Sequence, residues 1–167
     1  AAQHLLELCA VYYEGINRTD LAAFAETVPW TDERGQRLSA SRAKAELRKL
    51  VDGKFLVKTG KRQQVTVNAQ LIDYAAQQAV RDGCFEDLAA AVERRDATPH
   101  NSYSYRYGLS GRDGDVRRLR DMRIAFYRGD WGQFKSLNRK VSKPQIGEDG
   151  LGVLAPFDQQ IFEMLDP

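Results

Sequence analysis

Fourteen residues, KFLVKTGKRQQVTV at positions 54 to 67, stand apart from a chain otherwise patterned for helices. Phe55 and Val57 on one arm, and Val65 and Val67 on the other, are strand formers at alternate positions. TGKR between them supplies a turn, with Gly60 suited to a positive φ. A two-stranded ribbon alone is marginal in water, so this one needs helices to pack on. That requirement sets the expected fold class: mainly α with a small β-hairpin, with Phe55 and the valines turned inward.

Three helical patterns precede the ribbon. Residues 2 to 14 carry Leu5, Leu6, Leu8, Cys9, Val11, Tyr12 and Tyr13 on a broad apolar face, and Gly15 is the expected C-cap. The link INR suits an extended conformation. A second helix is expected to open on Thr19 as N-cap, with Asp20 in its first turn and Leu21, Phe24, Ala25 and Val28 on one face. Pro29 closes it. WTDERGQRL reads as a loop. The third helix runs from Ser39 or Ser41 to Asp52, with Gly53 as its cap. At 100° per residue, Ala40, Ala43, Leu47, Leu50 and Val51 gather on one side. Ser41, Arg42, Ala45, Arg48 and Lys49 gather on the other, with Lys44 at the border. A fourth helix, AQLIDYAAQQAVRDG, follows the ribbon.

Three helices and then a hairpin is the order of a winged helix, a variant of the helix-turn-helix. Residues 3 to 68, about two-fifths of the chain, resemble such a domain. LRKLVDGKFLVK is similar to the end of its recognition helix and first wing strand, and TGKRQQVTV to the wing tip and return strand. The loop at 29 to 38 is longer than in the simplest members. The resemblance implies that helix 3 enters the major groove and that the wing touches the backbone or minor groove. Independently of it, Arg42, Lys44, Arg48 and Lys49 on helix 3, with Lys61 and Arg62 at the hairpin tip, are the cations expected to neutralise phosphates and release counterions. Ser41 at the helix start is a donor to a phosphate or a base edge. The outer face has no Asn or Gln for adenine, so backbone contact is expected ahead of base reading, although Arg42 and Arg48 are able to read guanine. DNA is the expected partner and RNA a possible one. Two other uses of the same surface stay open: docking a protein, or plain solvation of a structural helix.

The second half is again helical. FEDLAAAVERRD places Phe85, Leu88, Ala89 and Val92 on one face. Residues 97 to 114 are rich in turn formers, and Tyr103, Tyr105 and Tyr107 alternate with polar residues as in an extended segment. Those tyrosines suit either stacking on unpaired bases or packing and partner contact. DVRRLRDMRIAFYRGDWGQFKSLNRKV reads as two antiparallel helices joined at Gly129-Asp130. Val116, Leu119, Ile124 and Tyr127 mark the first, and Trp131, Phe134 and Leu137 the second. This pair loosely resembles a helical hairpin of the tetratricopeptide type, although solenoids need three or more such units. The RGD triplet at its turn carries little weight as an adhesion signal. SKPQIGEDGLGVLAP is a linker, and PFDQQIFEMLDP a final short helix. The expected division is a winged-helix domain at 1–82 and a helical, repeat-like region at 83–167.

A net charge of +2 conceals strong segregation. Residues 37–62 hold nine bases and two acids, and residues 106–143 hold eleven bases and four acids. Acid-rich stretches flank both. Such segregation bears on partners more than the net value does. No apolar run approaches the ~20 residues of a membrane span. The amino end lacks the basic start and cleavage site of a signal peptide. With only Cys9 and Cys84, no CxxC, and His4 far from His100 in sequence, no structural zinc site, other metal or cofactor is expected. A reducing, cytoplasmic setting is the default. There is no phosphate-binding P-loop, GxSxG, HExxH or complete calcium loop, so catalysis is not expected. The chain opens on Ala1, not Met, and a fragment of a larger protein stands level with a complete one. The whole resembles the accessory regions of large bacterial helicases of the SNF2 type and of multidomain transcription regulators. The alternative is a protein-interaction scaffold built on the helical region and the tyrosines.

Overall fold

The computed structural model describes residues 1–31, 35, 37–59 and 64–97, and the backbone of 111–141, with side chains there from 116 to 138. The described chain is mainly α-helical with one small antiparallel sheet, as its periodicities require. In order it runs α1 (Ala2–Tyr12), β1 (Ile16–Asn17), α2 (Arg18–Thr27), α3 (Ala40–Asp52), β2 (Leu56–Thr59) and β3 (Gln64–Val67). A short 3-10 turn leads into α4 (Ile72–Arg81), followed by α5 (Phe85–Ala97), α6 (Gly111–Tyr127) and α7 (Trp131–Val141).

The hairpin gains a third strand. β1, the INR link, pairs with β3 through Ile16↔Val65 and Asn17↔Gln64, so the order in the sheet is β1-β3-β2. Val65 and Val67 face inward as expected, 1% and 2% exposed. Phe55 does not: it is 45% exposed, and Leu56 takes the inward position at 1%. The register explains the reversal. Leu56 lies opposite Val67, and on a pleated ladder directly opposed residues share a face. Phe55 precedes the strand and lies against Gly53, where an added Cβ would meet its ring at 2.8 Å.

Several helix ends differ from expectation. The left-handed residue closing α1 is Tyr13, φ 63, two residues ahead of Gly15. At Gly15 the neighbours are close instead: a Cβ there would lie 3.2 Å from both Gln64 Oε1 and Thr59 Oγ1 on the hairpin, which would have to give by a few tenths of an ångström. Asn17, not Thr19, caps α2, its side chain accepting from Asp20 N at 2.8 Å. Ser39 caps α3, and Glu26 of α2 also accepts from Ala40 N at 2.6 Å, tying α2 to the start of α3. α6 already begins at Gly111, inside the stretch expected to be turns.

α1 is the central element. Leu5 and Leu8, both 0% exposed, lie in one continuous cluster with Leu21 and Phe24 of α2, Leu47 of α3, the inward sheet residues, Ala76 of α4, Leu88 of α5 and Ile124 of α6. That cluster runs through the chain on both sides of residues 82 and 83. Each fully buried leucine contributes about 1.5–3 kcal/mol from water exclusion.

Candidate nucleic-acid interface

α3 is amphipathic in the sense its spacing requires. Ala43, Leu47 and Leu50 are buried, while Ser41, Arg42, Lys44, Ala45, Arg48 and Lys49 are all exposed. The structure thus brings five of the candidate contact residues onto the outer side of one helix whose inner side is held by the core. Lys49 bonds Glu46 at 2.8 Å, and that hydrogen bond holds the Glu46 carboxyl below its usual range. Lys44 and Arg48 make no ion pair among the described residues. Ser41 Oγ lies 3.2 Å from Ser39 Oγ, beside the α3 amino end. Lys54 and Lys58, absent from the expected contact set, are also exposed, one in the turn after α3 and one on β2. Lys54 sits in left-handed backbone at φ 61. Lys61 and Arg62 at the hairpin tip, and Tyr103, Tyr105 and Tyr107, lie outside the described residues.

The second basic block is put to a different use over its described part. Arg120 and Arg123 of α6 are 2% and 3% exposed. Arg120 donates to Glu14 at 2.6 Å, to Asp121 at 2.9 Å, and to Asp96 of α5. Arg123 donates to Asp73 of α4 at 2.6 Å and lies 5.0 Å over the Tyr13 ring. Burial works against the Arg120 cation, yet Asp121, Asp96 and Glu14 together outweigh it and raise its pKa. Glu14 moves the other way from a simple ion-pair partner: burial dominates over Arg120 and Arg117 and pushes its carboxyl up. Arg120 has three carboxylates to share one desolvation cost, so the pairing favours the cation more than it favours Glu14. The RGD triplet is likewise committed internally. Arg128 bonds Glu86 at 2.9 Å and Glu93 at 2.5 Å, and Asp130 caps α7 by accepting from Gln133 N at 2.9 Å. These roles depend on which helices meet, which local charge counting does not register.

The cysteines are unpaired with each other, Cys9 buried and Cys84 half-buried. Among the described residues, the donors grouped closely enough to hold a metal ion are His4, Glu7 and Cys84. They lie on α1 and the α4–α5 link, away in sequence from the basic helix.

Comparison with family models, curated proteins and solved structures finds no match to this chain. Among the described residues, no helix is long and apolar enough to cross a membrane.

Proposed function

We propose that residues 1–82 act as a winged-helix nucleic-acid-binding module, contacting phosphates through the outer face of α3 and the hairpin. The observation that carries this reading is the sidedness of α3: Ser41, Arg42, Lys44, Arg48 and Lys49 exposed, Ala43, Leu47 and Leu50 buried. The order helix, strand, two helices, two strands, with sheet order β1-β3-β2, supports it. Ser41 and Ala45 are small, so a sugar-phosphate chain is able to approach the helix closely between flanking cations. Duplex DNA is the first partner on this reading and RNA the second. The module serves as an accessory part of a larger cytoplasmic machine, such as an SNF2-type helicase or a transcription regulator, without catalysis of its own. The α6–α7 pair is its tetratricopeptide-like extension.

The test is binding of duplex and single strands at two salt concentrations by wild type and by Arg48→Glu combined with Lys61→Glu. Each lost phosphate contact lowers the salt slope on duplex by about 0.9, so the double variant loses roughly 2 units of slope together with affinity. Wild-type binding that ignores salt, or equal binding by the variant, sinks the reading for this face.

A scaffold role is the second reading. It is favoured by Trp131, 41% exposed on α7, in an aromatic group with Phe126 and Phe134. Capture of a protein partner that is lost in Trp131→Ala but indifferent to the α3 changes supports it.

A further inference from the structure

Glu7 is a buried carboxylate, 1% exposed, on the inner side of α1. The basic side chain beside it among the described residues is not an arginine or lysine but His4, whose Nδ1 lies 3.0 Å from Oε2. Gln3 Nε2 donates to Oε1 at 2.8 Å, and the Cys84 thiol donates to Oε2 at 3.5 Å. Elsewhere this chain sets guanidinium groups against its half-buried acids, as Arg120 and Arg123 show. Here it supplies an imidazole and a thiol, two ligands that together suit borderline and soft metals.

We propose that His4, Glu7 and Cys84 form a binding site for a divalent cation of the zinc class, with a fourth position left to water. The three donor atoms lie within 4.8 Å of one another. A tetrahedral ion about 2.0–2.3 Å from each ligand spaces its donors about 3.5 Å apart, so small rotations of the side chains suffice. His4 and Glu7 are three residues apart on one helix face, a spacing that helical metal sites use. Cys84 is held by regular structure on both sides: its N–H donates to Ala79 O at 3.0 Å, and its carbonyl accepts from Leu88 N at 3.1 Å. Outer contacts orient the ligands. Gln3 bridges Glu7 and Asp82 at 2.8 Å each, and the His4 ring stacks on Trp30 with centroids 5.4 Å apart. His4, with 34% of its side chain exposed, leaves a path for the ion.

On binding, the Cys84 S–H bond breaks, an S–metal bond forms and the proton passes to solvent. His4 ligates through a ring nitrogen that carries no proton, any proton there also passing to solvent, and Glu7 through a carboxylate oxygen. One thiolate and one carboxylate then balance the dication. The site joins α1 to the α4–α5 link and is independent of the nucleic-acid reading.

Cobalt(II) titration of the tag-free chain under reducing conditions tests this. The expected result is a thiolate-to-cobalt charge-transfer band that saturates at one equivalent and is displaced by zinc. The band is retained in Cys9→Ser and lost in Cys84→Ser. His4→Ala, a change at a partly exposed residue, weakens binding about tenfold or more. Zinc raises the melting temperature of wild type by more than that of His4→Ala, a readout that stands even if Cys84→Ser fails to fold. A wild-type chain with no such band, or a band that survives in folded Cys84→Ser, overturns the proposal. So does equal zinc stabilisation of wild type and His4→Ala.

Discussion

Arg120 sits 2% exposed among Glu14, Asp96 and Asp121. Arg120→Met keeps much of the stem's packing but removes the guanidinium that Glu14, Asp96 and Asp121 share, leaving Arg117 3.7 Å from Glu14. Urea denaturation is expected to show a loss of about 3 kcal/mol. A loss below about 1 kcal/mol, the range of exposed pairs, would mean that water already screens the cluster. Cys9 offers a second check at this scale. It is 3% exposed, and burial pushes its thiol up to about 12. Alkylation of Cys9 in the folded chain at neutral pH is therefore expected only at the rate of unfolding, as mass spectrometry of the modified peptide will show. Single residues were also where sequence reasoning was least reliable. Tyr13 holds the left-handed position expected of Gly15, while Gly53 caps α3 as expected, at φ −77, with the left-handed residue following it at Lys54. A Cβ at either glycine would also crowd a neighbour, Gln64 and Thr59 at Gly15 and the Phe55 ring at Gly53. Close approach between distant segments leaves no local mark in a sequence.

At the level of elements, the helical faces were legible because period and burial coincide. α3 and α5 turn inward the residues their spacing selects: Ala43, Leu47 and Leu50, and Phe85, Leu88, Ala89 and Val92. β1 was barely legible: two residues form no pattern, and its existence depends on β3 arriving alongside. The exposed half of the candidate interface was readable for the same reason as the buried half of α3. The paired arginines of α6 were not, because their partners come from the α1–β1 turn, α4 and α5. Two side-chain caps anchor α2 and α3. Asn17→Ala and Ser39→Ala are each expected to cost about 1 kcal/mol in denaturant unfolding. The Ser39 change should be the milder, because Glu26 still accepts from Ala40 N. Equal effects would show that Glu26 adds nothing to the cap. Leu47→Ala, on the buried side of the same helix, is expected to cost about 2–5 kcal/mol.

Across the whole molecule, the core joins α1 and α4 to α5 and α6 without a break. Unfolding followed by Trp30 fluorescence in a Trp131→Phe background is expected to coincide with loss of helical circular dichroism, apart from any separate signal of α7. Two well-separated transitions would instead support independent units meeting near residues 82 and 83. The buried guanidinium contacts of α6 have a further consequence. Simple salt competes for exposed cations such as Lys44 and Arg48 within a Debye length, but reaches a buried pair far less. If α3 holds a polyanion as proposed, ionic strength acts as a clutch: raising it disengages that face while the frame that presents it keeps its shape.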